Sequence, residues 1–104
     1  MQRIAFLMRL KPGYEAEYKR RHDEIWPEML AALRQAGIHN YSIFLNGEQL
    51  FAYLEVEDFD RMIQTLAADP TNARWQEWMR TLIEVPADPQ TNFPPLLQEM
   101  FHMD

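Results

Sequence analysis

Both faces of the first and third predicted strands are apolar, and that constrains the fold of this chain more than any other feature. Ile4 to Leu10 reads as a strand with Ile4, Phe6, Met8 and Leu10 on one side. Ala5 and Leu7 lie on the other side, because side chains alternate along a strand. Leu50 to Val56 repeats the pattern, with Leu50, Ala52, Leu54 and Val56 opposed to Phe51 and Tyr53. A sheet covered by helices on one face normally turns polar on the other. Here a second cover is required.

Between these strands the period changes. From Tyr14 the apolar and aromatic positions Tyr18, His22, Ile25, Met29, Leu33 and Ala36 recur every three or four residues, as on a helix. Gly37 stops that helix, and Pro27 predicts a kink or break near Trp26. Tyr41 to Leu45 is a second strand, and Asn46-Gly47 marks a hairpin turn into the third. Asp58 is placed to cap a helix over Phe59 to Ala68. Asp69-Pro70 interrupts it, and a further helix is expected from Thr71 to Ile83. Val85 to Pro95 holds four of the seven prolines and reads as an extended excursion. Leu97 to Met103 is expected as a final strand. The order is β-α-β-β-α-β, the ferredoxin-like arrangement of an α+β fold, in a single domain over residues 1–104. The simplest cover for the second sheet face is the same face of another copy. The expectation is therefore a homodimer, a dimeric α+β barrel built from two sheets face to face.

Composition narrows the function. Ten basic against sixteen acidic residues leave a net charge of −6, which disfavours binding to nucleic acid. The Lys19-Arg20-Arg21 cluster is diluted by Glu15, Glu17, Asp23 and Glu24. There is no cysteine, hence no disulfide, thiolate metal site or cysteine nucleophile. No apolar run reaches the length of a membrane span, and the N-terminus lacks the features of a signal peptide, so the cytoplasm is expected. Ser42, the only serine, sits inside a strand without elbow glycines, which argues against a serine-triad hydrolase. His22-Asp23-Glu24 has no matching ligand pair, so no metal site is assigned.

The residues left for chemistry are few. Tyr18 and His22, four apart, share one helical face, and histidine is the commonest general acid or base near neutral pH. Trp75 and Trp78, three apart, face roughly one way and could form a wall for the C–H surface of a sugar or simply be core. Tyr41, if it points inward with Ile43 and Leu45, needs a partner for its hydroxyl.

The strings RRHDEIWPE at 20–28 (preceded by Tyr18), QAGIHNYSIFL at 35–45, RWQEWM at 74–79 and LLQEMFHMD at 96–104 together resemble the L-rhamnose mutarotase family over essentially the whole chain. That resemblance implies a dimeric α+β barrel and a cofactor-free isomerase that interconverts the α and β anomers of L-rhamnose. It implies a pocket containing Tyr18, His22, Tyr41 and Trp75, with His22 as proton donor. Two positions depart from the family. Trp75 is followed by Gln76, where the family commonly has a second, sugar-contacting tryptophan, so Gln76 offers a hydrogen bond in place of a stacking surface. The segment from Asp88 to Pro95 differs from the family's Asn-Pro-rich loop. Three alternatives stand beside this reading. They are a mutarotase for another L-sugar such as L-fucose, a haem-linked or cofactor-free oxygenase on the same fold, and a binding module without catalysis.

Overall fold

In the computed structural model, which describes residues 1–84 and 93–104, four antiparallel strands carry the molecule. Strand β1 (Gln2–Leu10) is central. It pairs on one side with β3 (Gln49–Val56), and β3 pairs in turn with the edge strand β2 (Ile38–Asn46). On its other side β1 meets β4, which is only Ile83–Glu84. The order β2-β3-β1-β4 is the antiparallel ferredoxin-like sheet expected from the β-α-β-β-α-β succession.

Both helical segments are broken at proline. Helix α1 (Glu15–Asp23) ends before Trp26, whose extended backbone leads into Pro27 as the first residue of α2 (Pro27–Gln35). Proline has no N–H to lose at a helix start, and it disfavours helical backbone in the residue before it. Helix α3 (Phe59–Ala67) is capped by Asp58, which accepts from the backbone N–H of Arg61 at 3.1 Å. Helix α4 (Pro70–Met79) is capped by Asp69, which accepts from Thr71 and Asn72. Gly37 takes φ +86° just past α2, a conformation open to glycine at no steric cost.

The even-numbered side chains of β1 and β3 face the helices as expected. Ile4, Phe6, Leu54 and Val56 pack with Met62 of α3. Leu10 and Leu50 pack with Tyr18, Met29, Trp75 and Met79. Met8, Leu33 and Ile43 join the two groups. The opposite face is apolar too. The register sets Leu7 beside Phe51 and Phe51 beside Phe44, an apolar row across three strands in which both phenylalanines are exposed and Leu7 is half-buried.

Strand β2 starts at Ile38 rather than Tyr41, and two C-terminal elements differ further from the sequence reading. The last helix stops at Met79 rather than Ile83, because Leu82 and Ile83 are drawn into the core: Ile83 pairs with Leu10, and Lys11 donates to the Leu82 carbonyl. That short segment supplies the fourth strand of the sheet. The expected strand from Leu97 to Met103 does not form. Leu96 bridges Phe6 and Leu97 donates to the Ala5 carbonyl at 2.8 Å, after which backbone pairing stops and Glu99 holds to β1 through the Arg3 guanidinium. Pro94 and Pro95 have no N–H to start a ladder earlier. Continued pairing from Leu96 opposite Phe6 would also bring the tail to the first residue of β1 near Met100. The expected excursion over Val85 to Pro95 lies outside the described residues as far as residue 92.

Candidate active site

A cleft of about 780 Å³ opens on the helix side of the sheet, between α1, α2, α4 and β2, within the range of roughly 300–1,000 Å³ usual for small-molecule sites. Its floor is apolar, made by Leu10, Met29 and Leu50. The backbone delivers three aromatic groups and one imidazole to it from distant parts of the chain.

Helix α1 presents Tyr18 and His22 one turn apart. Their rings lie 4.4 Å apart at 31°. The Nδ1 of His22 is 3.1 Å from the carbonyl oxygen of Tyr18. A carbonyl can only accept, so Nδ1 carries the hydrogen and Nε2 is left with its lone pair. Burial lowers the His22 pKa below its ordinary 6.5, outweighing the hydrogen bond to Tyr18 and the nearby Asp23, which raise it. The resting group is therefore a neutral imidazole of fixed tautomer.

Helix α4 presents Trp75, which is 5% exposed and meets His22 edge-on at 5.4 Å between ring centres. Gln76, the next residue, reaches the rim of the cleft. Its Nε2 donates to Asn72 Oδ1 at 3.3 Å, and Asn72 Nδ2 donates to the Leu66 carbonyl. The side-chain oxygen of Gln76 is the end left to accept.

Tyr41 arrives through an irregularity in β2. Ile38 pairs with Val56 and faces the helices, whereas Ile43 pairs with Ala52 and also faces them, although 38 and 43 differ in parity. The register slips between His39 and Ser42, where Asn40 adopts φ +49°. This is a β-bulge, and its extra residue re-aims the side chains that follow. It turns Tyr41 to the side of Ile43 and Leu45, where all three line the cleft. Asn40 Nδ2 donates to Glu55 at 2.8 Å on the neighbouring strand, and Glu55 also accepts from the Tyr53 hydroxyl. Tyr41 as a residue is 37% exposed, but its hydroxyl end is crowded, and burial pushes the phenol up to about 12. Burial and the neighbouring Tyr41 also raise Tyr18 above its ordinary 10.0. Both phenols stay protonated at neutral pH. Among the described residues neither hydroxyl has a protein partner, which leaves two O–H donors for a ligand.

The family model for L-rhamnose mutarotase matches residues 3–103. The chain belongs to the L-rhamnose mutarotase family. An L-rhamnose mutarotase from Oceanobacillus iheyensis is 41% identical over the full length of both chains. One from Tolumonas auensis is 47% identical over 88% of each. The crystal structure of L-rhamnose mutarotase from Formosa agariphila superposes with a TM-score of 0.81 at 33% identity, covering both chains completely. Tetracenomycin F2 cyclase from Streptomyces glaucescens, a type-II polyketide cyclase, shares the fold at a TM-score of 0.68. Its identity is 14%, over 100% of this chain and 98% of that one.

For this member of the mutarotase family, Tyr18, His22, Tyr41, Trp75 and Gln76 all line the one cleft. Trp78 does not. It stacks on Trp26 at 5.3 Å and 18°, behind Trp75. The residue reading missed Glu15, Lys19 and Asp23, which line the cleft on the solvent side of α1, with Lys19 and Asp23 paired at 3.0 Å. Their i, i+4, i+8 spacing was a usable signal, since it forms a row beside Tyr18 and His22. The haem-linked oxygenase reading gains nothing from these relatives. No helix among the described residues is long and apolar enough to cross a membrane.

Proposed function

We propose that this chain interconverts the α and β anomers of L-rhamnose, with His22 as the proton carrier. The observation that carries the reading is the neutral, tautomer-fixed His22 held against Trp75 in a cleft with two protonated phenols. Nε2 of His22 takes the proton of the C1 hydroxyl. The bond between C1 and the ring oxygen breaks, its electron pair goes to the ring oxygen, and the C1 carbonyl forms. The imidazolium then delivers its proton to the ring oxygen. Rotation about the C1–C2 bond and the reverse steps close the other anomer. One histidine thus serves as base and then acid, and no metal, cofactor or covalent intermediate enters the balance. General acid–base catalysis of this kind contributes on the order of 10²–10⁴-fold.

The other groups bind and orient. Tyr18 and Tyr41 donate to sugar oxygens, and Gln76 accepts from a hydroxyl at the rim. Trp75 and the apolar floor face the C–H surface and the methyl group of a 6-deoxy sugar, where a sugar with a C6 hydroxyl would leave that hydroxyl unpaired. Residues 1–104 act as one unit. The apolar row of half-buried Leu7 with exposed Phe51 and Phe44 supports a two-fold homodimer that covers the outer sheet face. The acidic balance argues against a nucleic-acid partner, and the cysteine-free sequence fits a reducing compartment such as the cytoplasm.

Saturation-transfer NMR on the anomeric protons of L-rhamnose tests the function, with L-fucose and D-glucose alongside. Accelerated exchange for L-rhamnose, lost in His22→Ala, is expected. Exchange at the uncatalysed rate with all three sugars would sink the reading; a faster rate for L-fucose would move the substrate.

A further inference from the structure

Two helices supply most of the site, α1 with Tyr18 and His22 and α4 with Trp75 and Gln76, and these residues are more than fifty positions apart in the chain. They meet through side chains. One contact is the edge of Trp75 on His22. The other lies outside the cleft, at the residue next to His22. The guanidinium carbon of Arg21 sits 4.2 Å over the ring of Trp78. Its Nη1 donates to the Trp78 carbonyl at 2.7 Å, and its Nε donates to Glu17 at 2.7 Å. The Trp78 carbonyl is in the last turn of α4, where carbonyls lack helical N–H partners and a cation is favoured. Arg21 is 13% exposed, the most buried side chain among the ion pairs of the described residues. Trp78 in turn stacks on Trp26, and both abut Trp75.

We propose that Arg21 is a positioning residue for the mutarotase site, a clamp that sets the separation and rotation of α4 against α1 and so holds Trp75 against His22. Arg21 does not line the cleft and touches no substrate. Its fork grips the carbonyl and the ring of one residue on α4, while its neighbour His22 abuts Trp75 one turn earlier on that helix. Sliding or rotating α4 would break the first contact and shift the second. Glu17, held as a carboxylate by Arg20 and Arg21 well below its usual range, fixes the direction of the fork. Misplacing a reacting group by about 1 Å can cost about 10²-fold in rate.

This inference rests on the proposed function of the cleft, and its test separates the two. Arg21→Met keeps the apolar stem and removes the fork. It is expected to lower kcat for L-rhamnose anomer exchange by about tenfold or more, with KM changed by less than about threefold. Arg21→Lys, which keeps a cation near Trp78, should recover part of that loss. Arg20→Met, which shares Glu17 but does not touch α4, should stay within about twofold of wild type. Nuclear Overhauser contacts between the His22 and Trp75 rings should weaken in Arg21→Met and persist in Arg20→Met. A folded Arg21→Met with wild-type kcat and wild-type ring contacts overturns the clamp. Should Arg21→Met not fold, Trp78→Leu removes the ring but keeps the carbonyl. Weakened His22–Trp75 contacts there uphold the clamp, and unchanged ones overturn it. If wild type fails to accelerate exchange, the proposed function falls, and the ring contacts still decide the clamp.

Discussion

His22 Nδ1 lies 3.1 Å from the carbonyl oxygen of Tyr18, one helical turn earlier, and the two rings overlap at 4.4 Å. The backbone of the helix thereby sets which imidazole nitrogen carries the proton. The other nitrogen, Nε2, remains for substrate. A four-residue spacing on one helix determines both the location and the tautomer of the proposed proton carrier.

The same burial gives a pH signature. The native pKa of His22 is below 6.5, its value in the unfolded chain. Between the two values the unfolded chain binds the extra proton and the native protein does not. The stability contributed by neutral His22 is therefore full above about 6.5 and is lost as pH falls through the native value. The anomerisation rate, which needs the neutral form, should follow the native value and be flat above 6.5. Titration of the His22 ring protons by NMR, with the rate profile beside it, checks this; a midpoint above 6.5 would contradict it.

Trp75 is part of the core as well as the wall of the cleft. Trp75→Ala should destabilise the fold by about 3–5 kcal/mol, which makes it a poor probe of binding. Trp75→Phe retains an aromatic body and should remain folded while raising KM for L-rhamnose several-fold. Denaturant unfolding and saturation kinetics on the two variants separate the roles. A Trp75→Phe enzyme with wild-type KM would remove Trp75 from the sugar site.

The backbone of Asn40 carries the bulge that aims Tyr41. At φ +49° any residue with a Cβ is strained; asparagine offsets this with its polar side chain, here bonded to Glu55, so alanine in its place loses about 1–2 kcal/mol, whereas glycine has no Cβ to strain. Asn40→Ala should lower stability by that amount and raise KM, and Asn40→Gly should stay closer to wild type in both. Equal behaviour of the two variants would show that the left-handed backbone does not matter to Tyr41.

The proposed dimer has a direct test in Phe51, the middle of the apolar row. Phe51→Asp places a charge in the centre of the apolar patch, where an unpaired buried charge is strongly unfavourable. Sedimentation or light scattering should find wild type as a dimer and the variant as a monomer. A wild-type monomer at micromolar concentration would remove the dimer.

Much of this was legible in the residues. Period-two strands with two apolar faces, a helical stripe through Tyr18 and His22, and prolines at 27 and 70 are local signals, and they foretold the sheet, the helix breaks and the i, i+4 pair at the site. The fate of the C-terminal segment was not legible. LLQEMFHMD has the composition of a strand, but only Leu96 and Leu97 pair with β1, at Phe6 and Ala5, and beyond them the tail meets β1 through the Arg3–Glu99 side-chain pair instead of a backbone ladder.

Local propensity and hydrophobic period belong to the sequence, and by themselves they determined the order of elements, the helix-facing sides of β1 and β3, and the face shared by Tyr18 and His22. Tertiary structure alone decided which side of the sheet Tyr41 enters, that Trp78 packs behind Trp75 rather than in the cleft, and that Arg21 bridges α1 to α4. Each of those outcomes depends on a partner many residues away. Asn40 needs Glu55, Trp78 needs Trp26, and Arg21 needs the end of α4. A residue's own spacing carries no information about a group that only folding brings within a few ångströms.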